Sequence, residues 1–417
     1  MKLVKKFFPN INRKQLAIIE DLSWHNSKLY NIVNHQVRTD DKIKPVYTKL
    51  EEKFKSNWHN EYLHSHNRQQ QLKQLSQDWK SYFSILKDFK RNPSKYKGMP
   101  RPPKFKNMNV NPSQVIFTKF GVRVKDNILK LSLSKKMQSK YKVKSLNFLL
   151  PKAVESSINK ECIQQVRIKR DRLTKEWYLL IIFNVEEKKE VLSKNIMALD
   201  LGLDNLATVT FKDSSLSYIL NGKTIKSKNA YFNKEIAKLQ SIRMKQLKTS
   251  KIKDTKKILS LRIKRRNYVN NYLHKASKKI VDLAVKNKVS TIVIGDIKNI
   301  KQKKKIKSFV QIPIQRLAFL VEYKANLEGI KVVKINEAYT SGCSAIDLEK
   351  IDKFNYDNSR RITRGIFKTN SNILINSDVN GSLNILRKYT KDKCSLRPIN
   401  VARDNGFVSN PKRIRVA

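Results

Sequence analysis

A multidomain α+β fold is what this sequence predicts, and three observations predict it. Residues 12–90 carry apolar positions at helical spacing, residues 104–190 are β-rich and often alternate, and from 194 onward strands and helices succeed one another. At 417 residues the chain has room for two or three domains.

Residues 1–9 read as one short strand closed by Pro9. Over 12–38, Leu16, Ile19, Leu22, Leu29, Ile32, Val33 and Val37 recur with a helical period. A second helical stretch runs from about Pro45 to Leu63, and a third over 66–90 aligns Leu72, Leu75, Trp79, Phe83, Leu86 and Phe89. Pro93 and the run Gly98-Met99-Pro100-Arg101-Pro102-Pro103 then break the pattern. Beyond it, Val115–Phe117, Gly121–Val124, Ile128–Leu133 and Trp177–Phe183 read as strands, and Val166–Arg170 suits a hairpin with the last. The simplest arrangement is a basic β-barrel formed by 1–10 and 104–190, with a helical domain, 11–103, inserted after its first strand.

Strands are expected at 196–200, 206–211 and 217–220, then a long basic helical region over 229–288. The apolar run Thr291–Asp296 reads as a buried strand, followed by a helix at 313–328, a strand at 330–335 and a final helix near Asp378. This α/β order suits the ribonuclease-H-like fold.

Charge narrows the function. The chain has 89 Lys and Arg against 34 Asp and Glu, a formal net charge of +55. Such a field rules in a polyanionic partner, nucleic acid before an anionic membrane surface, and argues against an acidic protein or a neutral metabolite. The basic residues are spread along the whole length, which favours a long groove over a tethering arm. Cys162, Cys343 and Cys394 are far apart and form no CxxC pair, so a reducing, cytoplasmic setting is expected. No apolar run approaches a membrane span.

In so acid-poor a chain, a carboxylate ending an apolar strand needs a reason, because burying it unpaired is costly. Asp200 ends such a strand, and Gly202 then permits a tight turn. A divalent metal is one reason; an ordinary turn aspartate is the competing one. Glu337 follows the strand 330–335 and could stand beside Asp200, or be a solvated loop acid. Asp378 opens the last helix as a ligand, an N-cap, or both, with Asn380 and Asn384 on the same polar face. Asp296 is the rival second-strand acid, although alternation turns it away from the face of Gly295. Carboxylates converging at strand ends hold magnesium or manganese, and two such ions roughly 3.5–4 Å apart can hydrolyse a phosphodiester.

Taken together, Asp200–Thr208, Tyr272–Ser277, Thr291–Asp296, Arg364–Lys368 and Asn376–Ile385 resemble the TnpB family, transposon-encoded RNA-guided nucleases related to type V CRISPR effectors. The resemblance implies a RuvC nuclease domain (191–339 and 376–392), a target-nucleic-acid-binding insert (340–375) and a C-terminal tail (393–417), after a wedge-like barrel and a helical recognition domain. It implies Asp200, Glu337 and Asp378 as catalytic metal ligands for two Mg2+ or Mn2+ ions. Many members carry a glutamate where this chain has Gly295; a subgroup carries it before a Tyr-Thr-Ser segment, here Glu337-Ala338-Tyr339-Thr340-Ser341. Many also hold zinc on two CxxC pairs. Only Cys343 lies in that window, so no zinc is expected and ordinary packing must hold the insert.

The implied partners are a guide RNA of the omega type, from the transposon end, and double- and single-stranded DNA; no membrane is expected. Arg101, Lys104, Lys106, His274, Lys275, Lys303, Lys304, Lys305 and Arg364 are the expected nucleic-acid contacts, and Trp58, Trp79, Tyr96 and Phe105 could stack on bases or simply pack. Two alternatives stay open: a DNA transposase or recombination accessory protein without guided cleavage, and a nuclease-dead, RNA-guided repressor.

Overall fold

The structure is a computed structural model and describes residues 1–296, 312–391, 406 and 408–416. The chain divides into two compact units, Met1–Val185 and Glu186–Ala417.

The first unit opens with strand β1 (Lys2–Phe7) and helices α1 (Arg13–Thr39), α2 (Tyr47–Phe54), α3 (His59–Tyr62) and α4 (Ser65–Arg91). A capping box starts α1: the Asn12 side chain accepts from the Gln15 backbone N–H, and the Gln15 side chain accepts from that of Asn12. Ile19, Leu22, Leu29 and Val33 of α1 are buried in one core with Leu72, Leu75 and Trp79 of α4. Two polar groups at that core are paired: the Tyr30 hydroxyl donates to Asp78 at 2.8 Å, and the Trp79 indole N–H to Asn34 at 3.0 Å.

The rest of the unit comprises β2 (Val115–Thr118), β3 (Val122–Lys125), β4 (Ile128–Ser132), α5 (Lys135–Tyr141), β5 (Ser145–Leu149), α6 (Lys152–Glu155), β6 (Ile163–Arg170) and β7 (Trp177–Asn184). These strands form two sheets, β1-β7-β6-β2 and β3-β4-β5, and no ladder joins the two among the described residues. Helices α5 and α6 lie in the connections between β4, β5 and β6.

The second unit contains β8 (Ile196–Asp200), β9 (Asn205–Phe211), β10 (Tyr218–Asn221), α7 (Lys223–Leu247), α8 (Lys256–Lys286), β11 (Thr291–Asp296), α9 (Ile314–Leu327), β12 (Lys331–Asn336), β13 (Ile366–Lys368), β14 (Leu374–Asn376), α10 (Ser377–Thr390) and β15 (Lys412–Ile414). Six strands form one sheet in the order β12-β11-β8-β9-β10-β15. β9 runs antiparallel to β8 and β10, whereas β8, β11 and β12 run parallel. Part of the stretch read as a tail is therefore an edge strand: Lys412 pairs with Tyr218 in parallel register. Three residues, Lys-Arg-Ile, are too few to show a strand period.

Alternation sorts the sheet's two faces. Met197, Leu199, Ile292 and Ile294 pack with Leu273 and Ile280 of α8 and Leu317 and Val321 of α9. Ala198 and Val293 face the other way, onto Ile385 and Leu386 of α10. The same alternation sends Asp200 and Gly295 to the α10 face. Among the described residues no helix is long and apolar enough to cross a membrane.

Candidate metal centre

Because β8, β11 and β12 run parallel, their C-terminal ends share one rim of the sheet. Leu199 is in register with Ile294, and Gly295 with Ile335. Asp200 ends β8, Gly295 stands one step short of the end of β11, and Glu337 follows β12 directly. Two strand spacings, about 10 Å, separate β8 from β12. Glu337 narrows that gap by leaning over β11. A Cβ placed on Gly295 would stand 2.6 Å from Glu337 Oε2 and 2.9 Å from Ile385 Cδ1. The Glu337 carboxylate thus occupies the space a side chain at 295 would fill, and glycine is what admits it.

Helix α10 brings the third acid from above the sheet. Its N-cap is Asn376, whose side chain accepts from the Asp378 and Val379 backbone N–H groups at 3.1 and 3.2 Å. Asp378 therefore does not serve as the cap, and its carboxylate is held elsewhere: Asn205 Nδ2 donates to Oδ2 at 2.6 Å, and Arg361 reaches Oδ1 at 3.3 Å. One turn on, Gly381 lets the helix settle against β8, since a Cβ there would lie 2.6 Å from Asp200 Oδ2. Ser382 continues the close approach, donating towards the Ala198 and Thr208 carbonyls at 3.3 Å each.

The electrostatics of this rim are unfavourable without a cation. Desolvation pushes the Asp200 carboxyl up to about 8, and the charges of Asp378 and then Glu337 push it the same way; Arg361 opposes them. Burial also raises Glu337, helped by Asp296 and opposed by Lys388. Among the described residues no three His, Cys, Asp or Glu side chains are gathered tightly enough to enclose a single ion. The acids flank one another along the rim, Glu337 on the β12 side and Asp378 on the β9 side of Asp200.

Asp204 is neutralised instead, between Lys226 at 2.6 Å and Arg364 at 2.5 Å. Hydrogen bonding from Lys226 is the main reason its carboxyl lies below the usual range.

Helix α10 also anchors the 340–375 insert. Asn380 donates to the Cys343 carbonyl at 2.8 Å and accepts from the Ala345 N–H at 2.8 Å. Asn384 donates to the Thr340 and Cys343 carbonyls at 2.9 and 2.7 Å. Buried Arg387 reaches the Glu349 carbonyl at 2.9 Å. Inside the insert, Arg360 forks onto Glu349 at 2.6 and 2.9 Å. The sequence showed Asn380 and Asn384 as a polar face beside the acids. Their i, i+4 spacing, continued by Arg387, was the signal that the face grips something; its partner lies too far away in sequence to be read.

The expected nucleic-acid contacts are scattered. Arg101, Lys104 and Lys275 are exposed, as is His274 on α8, whose ring is held below its usual pKa by burial, Lys324 and Arg316. Lys106 is half-buried, its ammonium 4.4 Å from the Tyr30 ring centre. Arg364 is exposed while paired with Asp204. Lys303, Lys304 and Lys305 lie outside the described residues. Of the aromatics, Trp79 belongs to the core, Tyr96 donates its hydroxyl to Asp88, and Trp58 and Phe105 remain open to solvent, with Arg38 4.5 Å from the Phe105 ring.

The chain is similar to several known proteins. A family model described as probable transposase matches residues 180–301, and one for a Cas12f1-like TNB domain matches 315–385. A TnpB-like protein of Methanocaldococcus jannaschii is 31% identical over 215 residues, 48% of this chain and 72% of that protein. A TnpB-like protein of the Acidianus two-tailed virus is 26% identical across 92% of this chain and 86% of its own length. The CRISPR-associated endodeoxyribonuclease Cas12f1 of Sulfoacidibacillus thermotolerans is 30% identical over 235 residues; the match spans about half of each chain. In structure, the chain resembles Cas12f1 from a complex with single-guide RNA and target DNA, with a TM-score of 0.59 and 16% identity over 89% of this chain and 81% of that one. The chain belongs to the TnpB family.

Proposed function

We propose that this chain is an RNA-guided DNA endonuclease that hydrolyses phosphodiesters at the acidic rim of its second unit, which we read as a ribonuclease-H-like RuvC domain. The strand order β12-β11-β8-β9-β10 with only β9 antiparallel supports that reading of the fold. One observation carries the chemistry: the Glu337 carboxylate stands where a side chain from residue 295 would stand. The chain thereby has an acid at a place where residue 295 of its strand supplies none.

The chemistry of the rim's donors suits a divalent metal, although the three acids as they stand do not enclose one. Its donors are hard carboxylate oxygens, and Asp200 is pushed up to about 8 by burial and like charge, a cost that a bound cation would relieve. Asp200, Glu337 and Asp378 would hold two magnesium or manganese ions, which supply Lewis-acid stabilisation of the attacking and leaving oxygens. The protein's own part is positional. Asn205 fixes one oxygen of Asp378, the Asn376 cap fixes the turn that bears it, and Gly295 and Gly381 let Glu337 and Asp200 approach. The insert arginines Arg361 and Arg364 bring positive charge to the same rim, where a phosphate backbone would enter. The remaining basic surface suits a guide RNA and its heteroduplex, with base pairing supplying sequence specificity.

The test is cleavage by protein purified with RNA transcribed from its own flanking DNA. Magnesium-dependent cutting of a target library is expected, abolished by Asp200→Ala and by Glu337→Ala while RNA binding persists. Normal cutting by Glu337→Ala would remove Glu337 from the centre.

A further inference from the structure

We propose, building on the RNA-binding reading above, that a groove in the helical part of the first unit holds an unpaired RNA nucleotide. The groove, about 1020 Å³, runs between the end of α1, the linker into α2 and one face of α4. That is ample for a base with its sugar and phosphate.

Helix α4 supplies the rings. Trp79, Tyr82 and Phe83 stand at i, i+3 and i+4, so they share a face. Their centres lie 5.3 to 5.6 Å apart. Trp79 forms the buried floor, held by its bond to Asn34, whereas Phe83 is 48% exposed. The apolar stripe that is buried at Leu72 and Leu75 thus runs on uncovered at Phe83. Tyr47, at the start of α2, adds another ring, with the Lys73 ammonium 4.7 Å from its centre.

Charge selects the occupant. Arg38, Lys44 and Lys80 line the groove against a single acid, Asp41. Lys44 and Lys80 are exposed and have no ion-pair partner among the described residues, so both are available to a phosphate. Rings beside free ammonium groups are the combination that stacks a base and neutralises its backbone. Asp41 argues for RNA. A carboxylate opposes a phosphate but accepts from a ribose 2′-hydroxyl, which DNA lacks.

Fluorescence anisotropy on the full chain, with an unstructured labelled RNA of about 12 nucleotides and DNA of the same sequence, tests this. RNA is expected to bind more tightly than DNA. Phe83→Ala should weaken RNA binding about tenfold, Lys80→Glu should weaken it further at low salt, and Asp41→Asn should narrow the gap between RNA and DNA. Both residue 80 and residue 83 are solvent-exposed, and circular dichroism melts confirm that the variants fold. Wild-type RNA affinity in both variants sinks the groove alone, whereas a wild-type chain that binds no RNA sinks the guided reading as well. Equal affinity for DNA, unchanged by Asp41→Asn, overturns the choice of RNA. If Phe83→Ala changes only the oligomeric state seen by light scattering, the groove is a protein interface and the proposal fails.

Discussion

The acidic rim and the insert beside it treat the same scarce residue type in opposite ways. In the insert, acids are paired. Glu349 accepts from Arg360 and from the Ser344 N–H, and Asp347 takes the Asn370 N–H at 2.7 Å and the Ser371 hydroxyl. Hydrogen bonds outweigh desolvation at Asp347, whose carboxyl lies below its usual range. At the rim, Asp200 is raised by burial, then by Asp378 and Glu337, and Glu337 is raised by burial, then by Asp296. Satisfied acids build structure; frustrated ones gathered at strand ends are the pattern that the proposed metal role requires.

The contrast breaks first at Asp200. Asp200→Asn removes the central charge and should cut DNA cleavage at least about 10³-fold, roughly 4 kcal/mol of barrier. The same change should raise the melting temperature in metal-free buffer, because it relieves a repulsive site. A variant that loses activity and stability together would make Asp200 a structural residue.

The mirror-image change is Arg360→Ala. It leaves Glu349 buried without its bidentate partner and should cost about 3 kcal/mol. Urea denaturation measures the loss, and proteolysis should locate new cleavage sites in 340–375. Only Cys343 lies in the insert's zinc window, so no zinc is expected there, and chelators should not reproduce this effect.

Gly295→Ala sharpens the comparison from the rim side. Its methyl group would press on Glu337 Oε2 at 2.6 Å and on Ile385 at 2.9 Å. Overpacking of this kind costs about 1–3 kcal/mol, and displacement of the carboxylate should lower cleavage more than it lowers stability. Gly295→Glu combined with Glu337→Ala should recover part of the cutting that Glu337→Ala loses; no recovery would show that the two positions do not reach the same space.

How much of this was legible in the sequence follows from how local each signal is. Asp200 could be read because an apolar strand, a carboxylate and a glycine turn lie within seven residues, Ile196–Gly202. Glu337 could be placed after its strand, but its lean over Gly295 depends on β11 lying between β8 and β12, a property of the sheet. The polar face of α10 was visible, yet its grip on residues 340–349 is a contact about 40 residues distant. The edge strand Lys412–Ile414 exists because β10 offers it a ladder, and nothing in three residues announces that. The partition of the first unit's strands into β1-β7-β6-β2 and β3-β4-β5 is hidden from β-rich composition for the same reason: strand pairing is non-local.

Metal binding gives the smallest effect and the most direct reading of the rim. Without metal, burial and the charges of Asp378 and Glu337 push the Asp200 carboxyl up to about 8, from an ordinary carboxylate value near 4. An acid raised on folding costs nothing below its unfolded pKa and costs progressively more as pH climbs towards the folded one. The Asp200 contribution to the stability of metal-free protein should therefore fall between about pH 4 and pH 8. Magnesium at tenfold its dissociation constant at pH 6 should add about 1.4 kcal/mol there, and the same concentration should add more at pH 8, because protons compete for the same oxygens. Thermal melts across that pH range, with and without magnesium, measure both trends. Asp200→Asn should flatten them, while Arg360→Ala should lower every melt and keep the magnesium increment. Were magnesium to stabilise Asp200→Asn as much as the wild type, the ion would be binding elsewhere and the rim would lose its claim to it.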